Sequence, residues 1–282
     1  MKNFRNKVAV ITGAGSGIGR SLALRLADDG SALALSDIDT AAVAETAALC
    51  EKAGVKAIPY TLDVADKDAV YTHAEDVINE FGRANLLFNN AGVALGAEVK
   101  DMTWADFEWL MNIDFWGVAY GTKAFLPHLI DSGDAHIVNV SSVFGLMGIP
   151  TQSAYNAAKF AVRGFTESLR QEMKIGKYPV GVTCVHPGGI KTNIVANARG
   201  VDAMGRAELA HKGFQLIAVT RPSSAARAIL RGVRANRPRV LIGPDARVFD
   251  AIPRLVGPRY QDVGAPFARV GFAVGEKLGF SL

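Results

Sequence analysis

Seven short apolar runs recur along this 282-residue chain, and glycines or small polar residues follow six of them. The runs are Val8–Ile11, Ala32–Leu35, Lys56–Thr61, Asn85–Phe88, His136–Val140, Val180–Val185 and Arg239–Ile242, with longer stretches of helical spacing between them. Strands buried on both faces read as unbroken apolar runs, because parallel sheets carry helices on both sides. The alternation therefore predicts an α/β fold of parallel strands joined by crossover helices. The first run leads into Thr12 to Gly19, the second into Asp37, and the third into Asp63-Val64. The fourth leads into Asn89-Asn90-Ala91-Gly92, the fifth into Ser141-Ser142, and the sixth into His186-Pro187-Gly188-Gly189. Open parallel sheets bind ligands beyond the carboxyl ends of their strands. Ordinary loop polarity explains one or two such ends but not six in succession.

With 49% hydrophobic residues and 21% charged ones spread throughout, the chain can bury a large core and is not a disordered polymer. No repeat or linker divides it, so one domain is expected. The stretch Ala135 to Ala158 holds no Asp, Glu, Lys or Arg, yet Asn139, Ser141, Ser142, Pro150, Gln152 and Asn156 interrupt it. It reads as strand, loop and helix start rather than a membrane span. Met1 to Lys7 is short and polar, with no apolar leader. Cys50 and Cys184 sit in apolar surroundings and read as buried thiols, which points to a reducing, cytoplasmic setting. The net charge of +4 is uneven: Arg221, Arg227, Arg231, Arg234, Arg237 and Arg239 crowd one late segment. Without interleaved aromatics or a nucleic-acid motif, that cluster reads as a solvated helix face and loop.

The loop Gly13-Ala14-Gly15-Ser16-Gly17-Ile18-Gly19 lies between a strand and a helix. Its glycines permit a tight turn, let the backbone approach a pyrophosphate, and let the helix pack closely on the sheet. The helix starting near Gly17 aims free N–H groups and its positive dipole end at the phosphates. Asp37, 24 residues beyond Gly13, ends the second strand. A carboxylate there accepts hydrogen bonds from ribose hydroxyls and repels a 2′-phosphate, and neither Ser16 nor Ile38 supplies an opposing cation, so NAD is favoured over NADP. The competing job for Asp37 is to cap the next helix, with Asp39 and Thr40 as rivals. Asp63 is placed beside the adenine, with a helix cap as its alternative.

Tyr155 and Lys159 are four residues apart in a segment, Ser153 to Lys174, that reads as one long helix. That spacing sets both side chains on one face. A tyrosine near its ordinary pKa of about 10 is a poor base at neutral pH, and a nearby ammonium is expected to favour its phenolate. Ser142 can hold a substrate oxygen by hydrogen bond.

Together these motifs resemble the short-chain dehydrogenase/reductase family across roughly Lys7 to Gly243. The carriers are Thr12 to Gly19, Asn89 to Gly92, Asn112, Ser142, Tyr155-Asn156-Ala157-Ala158-Lys159 and Pro187-Gly188. The resemblance implies a Rossmann-like, doubly wound sheet of seven strands. It implies that Tyr155 is the general acid/base, that Lys159 lowers its pKa and binds the nicotinamide ribose, and that Ser142, with Ser141 as fallback, orients the substrate. Asn112 would support a water-linked proton relay through Lys159. Asn89 would support the sheet near the cofactor. Cofactor contacts are implied at Gly13, Ser16, Gly17, Ile18, Gly19, Asp37, Asp63, Val64, Asn90, Ala91, Gly92, Tyr155, Lys159, Pro187, Gly188, Ile190 and Thr192. Homodimers or homotetramers would form through helices near Trp104–Leu129 and Ser153–Lys174.

The expected activity is hydride transfer between NAD(H) and an alcohol–ketone pair. Residues 190–220 are expected to form a substrate lid carrying Met204, His211, Phe214 and Leu216. With Val143, Phe144, Leu146, Met147 and Ile149 they predict an apolar pocket and a hydrophobic secondary alcohol as substrate. Gln152 or His186 can fix a polar group there, against ordinary loop or core hydrogen bonding. Residues 1–243 are assigned to the catalytic domain. The extension 244–282 is expected to cover the substrate site or dock on a neighbouring subunit rather than lie on a membrane. Two other readings stay open: an NADP-dependent ketone reductase, and a nucleotide-sensing protein without turnover.

Overall fold

The computed structural model describes residues 1–192, 194, 198–199 and 218–262. All seven apolar runs are strands: β1 Val8–Thr12, β2 Ala32–Asp37, β3 Ala57–Thr61, β4 Leu86–Asn89, β5 Ala135–Val140, β6 Val180–Pro187 and β7 Arg239–Ile242. They form one sheet in the order β3-β2-β1-β4-β5-β6-β7, every pair parallel. The order reverses between β1 and β4, the switch point at which sheets of this kind bind ligands beyond the strand ends.

Among the described residues the helices are α1 Gly17–Asp28, α2 Thr40–Glu51, α3 Lys67–Phe81, α4 Trp104–Met111, α5 Gly117–Asp131, α6 Ser153–Ile175, α7 Pro222–Arg234 and α8 Pro244–Val256. Leu22 and Leu26 of α1, Val43 of α2 and Ile229 of α7 pack with Leu33 and Leu35 on one face of the sheet. Val70 and Val77 of α3, Phe125 and Leu129 of α5 and Leu169 of α6 pack with Leu87 and Ile137 on the other. Burying strands on both faces is what their continuous apolar runs demand.

Three local features bear on the site. The segment from Trp104 to Asp131 is not one regular helix, because a five-residue π-helical turn, Asn112–Trp116, separates α4 from α5. The charge-free stretch resolves into β5, a short 3₁₀ turn at Val143–Gly145 and the start of α6. Beyond β7, α8 and a 3₁₀ turn at Gly257–Arg259 fold back on the chain's own domain. Arg227, Arg231 and Arg234 line the exposed side of α7, opposite its buried Ile229 and Val233, as a solvated helix face would. Cys50 and Cys184 are buried free thiols, and burial pushes them up to about 11 and about 12 respectively. Among the described residues no helix is long and apolar enough to cross a membrane.

Candidate active site

The nucleotide end is built from backbone held by side chains of neighbouring strands. Gly13 adopts φ +65°, and a Cβ there would lie 2.9 Å from the Cα of Ala91, so only glycine suits this turn. Thr12 Oγ1 accepts the backbone N–H groups of Asn90 and Ala91, both at 3.0 Å, while Asn90 Nδ2 donates to the Thr12 and Gly13 carbonyls. These bonds tie the loop after β1 to the loop after β4. Ser16 precedes α1 in an extended conformation without bonding its backbone, and the first turn of α1 has no acidic residue. The free N–H groups and dipole of α1 are therefore available to an anion. Ile18 turns the other way, against the core.

Asp37 faces this loop. Its Oδ2 accepts from Gly15 N at 2.8 Å and its Oδ1 from Asp39 N at 3.1 Å. The cap of α2 is Asp39, which accepts from Ala42 N, so the competing role for Asp37 falls away. Asp63 is exposed and accepts from Ala65 N, whereas the cap of α3 is Asp66. Val64 is buried against Gly117. Arg20, which pattern reading passed over, donates from Nε to the Gly15 carbonyl at 2.9 Å and pairs with Glu45. It braces the glycine loop from the outside.

The catalytic candidates meet at the carboxyl end of β5. Tyr155 and Lys159 lie on one face of α6, both buried, with Nζ 5.4 Å from the centre of the phenol ring. The Ser142 hydroxyl accepts from Phe144 N at 3.2 Å and is among the groups that pull the Tyr155 phenol down. Ser141 turns away and donates to the Lys159 carbonyl, which leaves Ser142 as the serine of the site. The Phe144 ring stands edge-on to Tyr155, with centroids 5.9 Å apart. Gln152 serves through its backbone, its carbonyl accepting from Asn156 N. His186 is wholly buried; its Nδ1 donates to the Ser142 carbonyl at 2.9 Å, and burial lowers it to about 4, so it is a neutral strut under the serine. Asn89 is buried and donates to Asn139 Oδ1 at 2.8 Å and Thr122 Oγ1 at 3.0 Å, linking β4 to β5 and α5.

Two expectations need correction. Asn112 is exposed at the start of the π-helical turn. Asp114 meets Lys159 instead: it has no exposed surface, and Oδ2 stands 3.0 Å from Nζ in an ion pair outside hydrogen-bond alignment. Asp114 follows the buried Leu110 by four residues, so both side chains turn inward on one face. Nor does the pull of the lysine prevail on the tyrosine. Burial pushes the Tyr155 phenol above its ordinary value; the Lys159 ammonium and Ser142 pull it down, and Asp114 pushes it further up. Burial opposes the charge on Lys159, but Asp114 and Tyr155 outweigh burial and raise it. Burial also raises Asp114, against the pull of Lys159 and Val93 N–H.

The third wall is the turn after β6. Gly188 N donates to the Ile242 carbonyl at 2.9 Å, and Gly189 N to Asp245 Oδ2 at 2.6 Å. A Cβ on Gly188 would collide with the Asp245 carboxylate. Ile190 is buried and bridges to Thr220, and Thr192 N donates back to the Ile190 carbonyl. Phe249 of α8 packs on Phe144 with centroids 6.3 Å apart, and Gly148 N donates to the Tyr260 hydroxyl at 3.1 Å. Arg199 lies 3.9 Å over the Trp109 ring. Met204, His211, Phe214 and Leu216 lie outside the described residues, as do all extension residues beyond Asp262.

Fold and cleft define a doubly wound α/β protein with a nucleotide site at its switch point and a Ser–Tyr–Lys cluster beside it. The family model for short chain dehydrogenase matches residues 7–203, and the chain belongs to that family of oxidoreductases. It is 50% identical over 261 residues to the putative oxidoreductase SadH of Mycobacterium tuberculosis, a match covering 93% of this chain and 95% of the relative. A short chain dehydrogenase/reductase from Burkholderia phymatum in complex with NAD superimposes with a TM-score of 0.80 at 32% identity, covering 94% of this chain and 97% of the other. The apo form of LigD from Sphingobium sp. strain SYK-6 superimposes with a TM-score of 0.75 at 31% identity, covering 91% and 100%.

Proposed function

We propose that the chain transfers a hydride between NAD(H) and a hydrophobic secondary alcohol or its ketone, with Tyr155 exchanging the proton. The observation that carries this reading is the buried pair of Tyr155 and Lys159 with Ser142 beside it, at the strand ends that also carry the glycine loop. The N-terminus of α1 would hold the pyrophosphate and Asp37 the adenosine ribose, with Asn90, Ala91, Gly92, Pro187, Gly188, Ile190 and Thr192 along the cleft. A carboxylate at Asp37 favours NAD over NADP, and the NAD complex of the Burkholderia phymatum relative supports the same choice. The bound nicotinamide supplies the hydride donor or acceptor.

The rest falls to this chain's own side chains. Ser142 presents a hydroxyl to the substrate oxygen, and Tyr155, held as a neutral phenol, is ready to give that oxygen a proton. Phe144, backed by Phe249, supplies an apolar wall that keeps water from the reacting centre. The described part of the extension thus closes the substrate side of its own domain. Exposed Trp104, Trp116 and Phe160 on α4, the π-helical turn and α6 support assembly into a homodimer or homotetramer through these helices, which light scattering would measure.

The test is fluorescence titration with NADH and NADPH, followed by a panel of secondary alcohols and ketones. Tight NADH and weak NADPH binding with turnover supports the reading, and preference for NADPH turns it towards a ketone reductase. Tyr155→Phe should lose about 100-fold or more in kcat while keeping its affinity for NADH. A variant with full biological effect but no turnover would identify a nucleotide sensor instead.

A further inference from the structure

Lys159 holds a buried carboxylate in an ion pair beside the phenol it is expected to activate. Its Nζ is 3.0 Å from Asp114 Oδ2 and 5.4 Å from the centre of the Tyr155 ring. Asp114 is wholly buried, and its other oxygen accepts from Val93 N at 2.7 Å, just past Asn89–Gly92. The carboxylate is therefore fixed between the loop after β4 and the lysine, and it lies within the π-helical turn Asn112–Trp116. Such wide turns are frequent at functional sites. An ammonium alone would draw the phenol towards phenolate, whereas an ammonium neutralised by a buried carboxylate exerts little net field on its neighbour.

We propose that Asp114 is a positioning residue that, by neutralising Lys159, keeps Tyr155 protonated through neutral pH and so sets the site as a proton donor to carbonyl substrates. The inference rests on Tyr155 being the acid/base of the reaction. The groups facing this cluster come from every wall. Lys159 and Tyr155 lie on α6, and Asp114 comes from the π-helical turn. Ser142 and the Val140 carbonyl come from the end of β5. From β6 come Cys184, neutral because burial pushes its thiol up to about 12, and His186, neutral above about 4. Lys159 and Asp114 are thus the charges that act on the phenol, with opposite signs. Carbonyl reduction consumes the phenol proton and should run unhindered at neutral pH. Alcohol oxidation needs the phenolate and should rise only on the alkaline side.

The experiment compares pH profiles of kcat/KM for oxidation of the best alcohol in the wild-type enzyme, Asp114→Asn and Asp114→Glu. Removing the carboxylate's charge should move the rising limb down by roughly one to two pH units. Asp114→Glu should return the limb towards its wild-type position, which a purely structural role would not require. Superimposable limbs for wild type and Asp114→Asn would overturn the inference. Should Asp114→Asn not fold, the near-ultraviolet phenolate absorbance of wild type minus Tyr155→Phe reports the same quantity. Ionisation above about pH 10 supports the inference, and ionisation near neutrality overturns it. Undiminished turnover by Tyr155→Phe would instead sink the acid/base reading, so the two failures are told apart.

Discussion

Acid should unfold this protein through three histidines that do not take part in the proposed chemistry. His73, His136 and His186 are buried, and burial lowers them to about 4, about 3 and about 4. Their unfolded-state value is about 6.5, so their folded values are depressed. Above about pH 6.5 each is neutral in both states, and the fold keeps its full stability. As the pH falls from there towards the folded values, the unfolded chain binds protons that the folded chain refuses. At pH 5 each histidine therefore costs about 2 kcal/mol relative to pH 7.5, or about 6 kcal/mol for the three. That is comparable to the whole stability of a marginal domain. His73 provides the clean test: it lies between Tyr60 and Phe125, and neither ring nitrogen has a partner. Urea unfolding of wild type and His73→Phe at these two pH values should show the variant losing about 2 kcal/mol less on acidification. Equal losses would refute the reasoning, because His73 would then take up its proton inside the fold.

Three further outcomes follow from the cleft. Asp37→Ala should narrow the preference for NADH over NADPH by about tenfold or more, read by fluorescence titration, since it removes both an acceptor and a repulsive charge. Asp245→Ala leaves Gly189 N without its acceptor and should lower stability by about 1–3 kcal/mol, seen as a drop in Tm, with weaker NADH binding. Phe249→Ala should raise KM for the bulkiest apolar alcohols by about tenfold while sparing small ones, because the wall behind Phe144 is removed.

The sheet was legible because parallel strands leave a signature that tertiary context does not mask: seven continuous apolar runs, all of them strands. The glycine loop and the Tyr155–Lys159 pair were equally open, since each depends on neighbours within a few positions. What stayed hidden depends on which side chain turns inward, or on distance. Asn112 reads as the relay residue because the family pattern calls for a single asparagine in this stretch, whereas Asp114, four residues past the buried Leu110, is the side chain that meets Lys159. The direction of the Tyr155 shift depends first on burial in the folded cleft, which opposes the phenolate and which residue spacing does not reveal. Asp245 lies 56 residues from the Gly189 N–H it holds, and no local pattern announces such a bond. Arg20 reads as a solvated helix residue until its contact with Gly15 is seen. His186 is engaged in core bonding, the blander of the roles open to it.

The helix after β7 touches both lips of the cleft. Asp245 at its start grips the glycine turn, Phe249 in its middle backs the aromatic wall, and Tyr260 just past its end holds the loop that follows the serine. One short segment therefore behaves as a cassette. Exchanging residues 244–262 between relatives would transplant the anchor of one lip and the lining of the other in a single step, while the sheet and the proton-transfer cluster stay in place. Chimeras with altered substrate range and unchanged cofactor choice are the natural products of such a design.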